Sequence, residues 1–248
     1  MAMRPSWEPS AAICHRAHIT RYREWLQRER GLAFADFDAL WQWSVTDLEG
    51  FWASIWDYFD IRARRRFDRV LGERRMPGAV WFPGAHLNYV DQVFRHASSS
   101  QPALLFTNEV GSQEAVAWSE LQDQVGALAA FLRRCGITRG DRVVAYLPNI
   151  PQTVVAFLAV ASLGAVWSLC APDMGQVAVL DRFGQITPKL LLAVDGYRYG
   201  GKPFERQEVI AELLRALPSV DTLIMLPYLH PTLSQSAPSH AAPGRRVY

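Results

Sequence analysis

Residues 195–203, DGYRYGGKP, set two basic side chains, Arg198 and Lys202, among three glycines. The Gly196…Gly201-Lys202 spacing has the outline of a phosphate-gripping P-loop, and it directly follows an apolar run from Leu190 to Val194. A P-loop needs Ser or Thr after the lysine to hold Mg²⁺. Pro203 stands there instead, with neither a hydroxyl nor an N–H, and Tyr197, Arg198 and Tyr199 are bulky for such a loop. What remains is a turn in which glycine lets the backbone approach a ligand while Arg198 and Lys202 offer donors to phosphate. A plain β-turn, with Tyr197 and Tyr199 alternating and Lys202 solvated, competes for the same residues. A second candidate turn is APDMG, residues 171–175, with Asp173, Met174 and Gly175. Both turns follow candidate parallel strands, and in open α/β sheets ligands bind beyond the carboxyl ends of the strands.

Other chemistries lack their residues. There is no G-x-S-x-G, no H-E-x-x-H and no C-x-x-C, and the six histidines are scattered. His86, beside Asn88 in a glycine-containing loop, reads as a surface histidine, and RGD at 139–141 as the turn before a strand. A formal net charge of +2 gives no footprint for nucleic acid. The basic run Arg62–Arg69 reads as a solvated helix end. Cys14, Cys135 and Cys170 are odd in number and far apart, which suggests neither a disulfide framework nor a metal site. With no apolar signal core in the first residues, a reducing cytoplasm is expected. Val154–Ala171 carries no charge and approaches bilayer length. Pro151, Gly164 and Pro172 divide it more naturally into a buried helix followed by a buried strand.

Two regions must position these turns. In residues 1–100, Trp7, Trp25, Trp41, Trp43, Trp52, Trp56 and Trp81 crowd together, and a helix is expected over Thr20–Arg30 with Gly31 as its stop. Thr46 and Glu49 suggest a capping box opening a helix whose Leu48, Phe51, Trp52, Ile55, Trp56 and Phe59 share one face. This part reads as a helical cap, followed by a loop-like stretch from Gly72 to Asn88 and a boundary at 98–102. Residues 101–226 alternate strands and helices. Strands are expected at Ala103–Thr107, Ala115–Trp118, residues 140–148, Ala165–Cys170, Leu190–Val194 and Thr222–Leu226. Helices are expected from Ser119 as cap to Gly136 as stop, and at Pro151–Leu163, Gly175–Ile186 and Glu205–Leu217. The fold class is therefore α/β, a mostly parallel sheet with helices on both faces. Residues 227–248, rich in Pro, Ser and Ala and without periodicity, are expected to be a disordered tail.

The wording of several blocks is familiar. DALWQWSVTDLEGFWASIWDYF, MPGAVWFPGAHLNYV, GDRVVAYLPNIPQTVVAFLAVASLGAVWS and PDMGQVAVLDRFGQITPKLL closely resemble the amino-terminal part of acetoacetate–CoA ligases, of the adenylate-forming acyl-CoA synthetase superfamily. The resemblance runs from about Trp7 to Leu226. It implies a partial three-layer adenylate-forming domain and a family reaction that joins acetoacetate to ATP and then to coenzyme A. It also implies that Arg198 sits where such enzymes use an arginine near the CoA phosphates. Lys202 lies one position beyond the family's second basic residue, which falls on Gly201. Asp173, Met174 and Gly175 resemble a neighbouring loop against which the CoA nucleotide packs, with Met174 replacing the usual aromatic.

The family's Ser/Thr/Gly-rich ATP-phosphate loop has no counterpart in this chain. ITPK at 186–189 carries only that loop's last two letters. The segment holding adenylate and Mg²⁺, the ribose-binding Asp and the domain with the catalytic Lys are likewise without counterparts. The resemblance thus implies a chain that is inactive alone, with CoA, ATP and Mg²⁺ as ligands of the complete family enzyme. The alternatives are a CoA-binding or assembly module that works with a separately encoded remainder, or a fragment of a related short-chain acyl-CoA synthetase. Neither nucleic acid nor membrane is an expected partner.

Overall fold

The computed structural model describes residues 6–231 and 245–248, and the chain packs into two compact units, Met1–Leu87 and Asn88–Tyr248. The division falls before the boundary read at 98–102. Its cause is Asn88, whose side-chain amide donates to the carbonyls of Ala161 and Ser162 at 3.0 and 3.3 Å, and Val90, which is buried in the second unit's core.

The first unit carries helices α1 (Ala11–Arg16), α2 (His18–Arg30), α3 (Phe37–Thr46) and α4 (Leu48–Tyr58), followed by a small antiparallel pair, β1 (Leu71–Glu73) and β2 (Val80–Trp81). Tyr22, Leu26 and Leu40 form its buried centre, with Trp25, Trp43, Phe51 and Ile55 packed against them. The Tyr22 hydroxyl is hydrogen-bonded to buried Ser54 at 2.5 Å, so the apolar stripe of α4 is interrupted by one satisfied polar pair. Two expectations are corrected. Thr46 is not the cap of α4: it ends α3 and bonds back to the Gln42 carbonyl at 2.8 Å, while Asp47 caps α4 by accepting from the Gly50 amide at 3.0 Å. A single residue, Asp47, separates the two helices and takes the capping role. Arg62–Arg69 is not a helix end either. The α4 helix stops at Tyr58, and the basic run is irregular chain bridged to His86 through Arg65.

The second unit begins with α5 (Tyr89–Phe94) and an antiparallel hairpin, β3 (Leu104–Thr107) and β4 (Gln113–Val116). Then come α6 (Trp118–Arg134), β5 (Arg142–Tyr146), α7 (Pro151–Ser162), β6 (Val166–Cys170), α8 (Gln176–Gly184) and β7 (Leu190–Val194). A second hairpin, β8 (Gly196–Tyr199) and β9 (Lys202–Glu205), precedes α9 (Gln207–Ala216), β10 (Thr222–Leu226) and β11 (Arg246–Val247). Ser119 lies inside α6 rather than capping it; the cap position is Ala117, which has no side chain to donate or accept. Val154–Ala171 breaks into α7 and β6 as expected, and no helix among the described residues is long and apolar enough to cross a membrane.

The sheet order is β11-β10-β7-β5-β6, with every pairing parallel. Side chains alternate along each strand, and the alternation builds two cores. Val143, Ala145, Leu190, Leu192 and Val194 face α6 and α7, whereas Val144, Tyr146, Leu191, Ala193 and Leu223 face α8 and α9. This is the three-layer α/β arrangement expected from the strand–helix alternation.

The expected disorder from Pro227 fails at both described ends of that segment. Leu229 is buried, and the amides of Tyr228, Leu229 and His230 all donate to the Asp195 carboxylate at 2.7–2.9 Å. Arg246–Val247 adds a strand to the sheet, and the Tyr248 ring packs edge-on against Phe131. The physical reason is that the outer edge of β10 offers free backbone groups to any extended segment. The remainder of the expected tail, residues 232–244, lies outside the described residues.

Candidate functional site

In chain order the sheet runs from β5 outward to β6, then back across β5 to β7 and on to β10. The direction of growth reverses between β5 and β7, and such a switch point leaves a crevice at the strands' carboxyl ends. A recess of about 320 Å³ lies there. Its walls are residues 148–150 after β5, Arg198 on β8, Tyr228 and Leu229 after β10, and residues 106–110 at the end of the β3–β4 hairpin. Burial pushes the Tyr228 phenol above its ordinary range.

The β8–β9 hairpin controls which side chains reach this recess. Gly200 and Gly201 form its two-residue turn with φ of 57° and 75°. Paired left-handed residues give the turn whose twist matches a hairpin, and glycine adopts them at no steric cost. Tyr197 and Phe204 lie opposite each other and stack at 5.2 Å. Arg198 projects to the other face, as alternation along a strand requires. Gly196 sits where a Cβ would come within 2.6 Å of both the Phe204 carbonyl oxygen and Leu229 Cδ2. The close approach of β9 and of the chain after β10 therefore demands glycine at that position.

The face bearing Tyr197 is tied down. Arg206 donates from Nε to the Pro172 carbonyl at 2.6 Å and from its terminal nitrogen to the Tyr197 hydroxyl at 3.0 Å. Its guanidinium also lies 4.9 Å from the centre of the Tyr197 ring, a favourable cation–π geometry. From below, the buried Tyr146 hydroxyl donates to the same Pro172 carbonyl at 2.7 Å and lies 3.2 Å from that of Met174. Burial raises the Tyr146 phenol above its ordinary range, so it remains a donor at neutral pH.

The face bearing Arg198 is open. Arg198 and Lys202 are exposed, and neither has a side-chain hydrogen bond or an ion pair among the described residues. The two amides at the hairpin tip are engaged instead by an acid from the other hairpin. Glu109 accepts from Gly200 N at 2.9 Å and from Gly201 N at 3.1 Å. The Gly201 and Gly200 hydrogen bonds hold its carboxyl below the usual range.

Against known protein families, residues 92–244 match the family described as AMP-binding enzyme. The chain belongs to the AMP-binding enzyme family. Residues 37–93 match acetyl-coenzyme A synthetase N-terminus. Among curated relatives, acetoacetyl-coenzyme A synthetase from Rhizobium meliloti (strain 1021) is 38% identical over 92% of this chain and 34% of that protein. Acetoacetyl-CoA synthetase from Rattus norvegicus is 37% identical over 91% of this chain and 34% of its own length. The solved structure of acetoacetyl-CoA synthetase from Streptomyces lividans superposes with a TM-score of 0.90 at 46% identity, covering 99% of this chain and 37% of that one. The chain thus spans about a third of the length of the relatives it matches.

Within this AMP-binding fold the six sequence-derived candidates do not form one cluster. Arg198 lines the recess, with Gly201 and Lys202 at the hairpin tip beside it. Asp173, Met174 and Gly175 belong to the loop that Tyr146 and Arg206 fasten on the Tyr197 side, and none of them lines the recess. Met174 is half-buried against the core facing α8 and α9. Gly175, the cap position of α8, has an ordinary negative φ and open space around an added Cβ.

Sequence reasoning missed Glu109, Tyr146, Asp195 and Arg206. Asp195 opens the quoted motif 195–203 and Tyr146 lies in the quoted block from Gly140; the Asp195 carboxylate caps three amides more than thirty residues away. The other three carry no local signal, because their partners are set by the sheet. Lys189 of ITPK is committed elsewhere. It donates to the Gly136 carbonyl at 2.7 Å and pairs with Asp141 at 3.0 Å at the amino ends of the strands.

Proposed function

We propose that this chain is the amino-terminal region of an acetoacetate–CoA ligase and contributes the CoA-phosphate side of that enzyme's site through Arg198, with Gly201 and Lys202 beside it. The observation that carries the reading is an exposed Arg198 at the sheet's switch point, without an ion-pair partner among the described residues and next to two convergent backbone amides. Such a set of donors suits phosphate, and the related acetoacetyl-CoA synthetases supply the thioester chemistry. Asp173, Met174 and Gly175 would form a second wall for the ligand, with the space around Gly175 admitting a close approach.

The residues fit a CoA phosphate but not ATP–Mg²⁺. The sequence has no glycine-rich loop to hold the ATP phosphates. Adenylation requires donors and metal to offset charge developing on the phosphates. The chain alone is therefore proposed to be inactive, each such loss commonly costing about a hundredfold or more.

In a full-length relative, alanine at the position of Arg198 should raise KM for CoA and leave ATP–pyrophosphate exchange nearly unchanged. Equal damage to both half-reactions would remove Arg198 from the CoA site. Acetoacetate-dependent pyrophosphate release by this 248-residue chain alone would overturn its inactivity.

A second reading, assembly with a separately encoded remainder, is favoured by β6. It is an edge of the sheet among the described residues and leaves Val166 and Leu169 exposed, as a strand awaiting a partner would.

A further inference from the structure

Glu109 holds an unusual post. The side chain of Asn108 accepts from the amides of Val110 and Ser112 at 3.2 and 3.0 Å, and this turn presents the neighbouring glutamate outward. Glu109 is exposed, yet both its carboxylate oxygens are taken by adjacent amides of a hairpin 91 and 92 residues further on. Two left-handed glycines direct those amides at one acceptor group. A phosphate presents an edge of two oxygens just as a carboxylate does, with more charge. Arg198 lines the same recess as Glu109, but no ion pair joins them; the carboxylate engages the amides and leaves the cation free. Lys202, the residue after the amide pair, likewise has no side-chain partner among the described residues.

We propose that Glu109 is an internal stand-in for a ligand phosphate: it occupies the Gly200–Gly201 amide pair in the free protein and yields it when a phosphate-bearing ligand binds against Arg198 and Lys202. The proposal rests on the reading of Arg198 as a phosphate contact and adds a competing anion to it. Its consequence is that removing the acid strengthens binding. A residue that merely braced the hairpin would do the reverse, since its loss would loosen the tip and weaken the site. The depressed carboxyl pKa of Glu109 agrees with a carboxylate held by these amides.

The test uses the whole chain, labelled with ¹⁵N, and adenosine 3′,5′-bisphosphate as the phosphate-bearing probe. In the free wild type, the Gly200 and Gly201 amide signals should shift together on acidification, with a midpoint below the ordinary glutamate value of 4.5. That shift should vanish in Glu109→Ala and Glu109→Gln. The probe should perturb the same two amides. It should bind Glu109→Ala about fivefold more tightly than wild type, since one charge-assisted competitor is gone, and Glu109→Gln in the same direction by less. Arg198→Ala should weaken binding in every background. Signals from the rest of the sheet report whether each variant is folded, and the exposed position of Glu109 makes the glutamine variant the safer one. Equal or weaker binding by both Glu109 variants, with Arg198→Ala still weakening it, overturns the stand-in role and leaves the phosphate site intact. No perturbation of the two amides in any variant, or no effect of Arg198→Ala, overturns the phosphate site and this proposal together.

Discussion

Two loops leave the carboxyl end of the same parallel sheet, and the fold treats them in opposite ways. Residues 171–175 are fastened from beneath and from the side: the Pro172 carbonyl accepts from both Tyr146 and Arg206. The β8–β9 hairpin is anchored at its base through Gly196 and Asp195 and on one face through Tyr197, while its other face carries Arg198 with no side-chain partner among the described residues. The polar side chains that support the first loop serve structure. The corresponding groups on the open face of the hairpin are left for a ligand. Exposed cations contribute little to stability, so the braced hairpin presents Arg198 without using it as scaffold, and this contrast distinguishes scaffold from site more sharply than residue type does.

The contrast can be broken at its base. Gly196→Ala should have the largest effect, because the new Cβ would meet backbone as well as the Leu229 side chain. A loss of about 3 kcal/mol is expected, read by urea denaturation. A wild-type midpoint in Gly196→Ala would show that the hairpin base is not close-packed. Arg206→Ala comes next, at about 2 kcal/mol. It should loosen both loops at once, so that hydrogen exchange accelerates in residues 171–175 and 196–205 together. Faster exchange in one loop only would mean that the two are independent.

Tyr146→Phe removes a single buried donor while Arg206 still serves the Pro172 carbonyl, and a cost of about 1 kcal/mol is expected. An effect as large as that of Arg206→Ala would move the main anchor from the side of the loop to its floor. Arg198→Ala should be the smallest, within about 0.5 kcal/mol of wild type in stability, despite its expected effect on ligand binding. A substantial loss of stability would place Arg198 in the scaffold and erase the difference between the two faces.

Periodicity and composition were sufficient for the alternating strands and helices from α6 to β10, apart from the β8–β9 hairpin. The apolar runs of β5 and β7, bounded by turn residues, could be buried in a parallel sheet only with helices on both faces, and their alternation between two cores follows from a side-chain period of two. Arg198 was legible because glycines and basic residues after a buried strand are a local pattern. The capping of α4 by Asp47 rather than Thr46 shows the limit of such patterns: two adjacent helices competed for one junction, and either residue satisfied the sequence rule. The strand at Arg246–Val247 carried no signal, since two residues have no period. Only the free edge of β10 gives them a partner.

The sequence by itself determined the strands β5, β6, β7 and β10, the helices α6 to α9 between them, and that a glycine-rich basic turn follows β7. Each of these depends on chemistry within a few residues, where spacing fixes which side chains share a face. The tertiary structure decided that Arg198 faces the switch-point recess, that Asp173, Met174 and Gly175 lie outside that recess, and that Glu109 reaches the Gly200–Gly201 amides. Those relations join residues tens of positions apart. They depend on strand order, and strand order follows from how the two cores close around the sheet rather than from any local pattern.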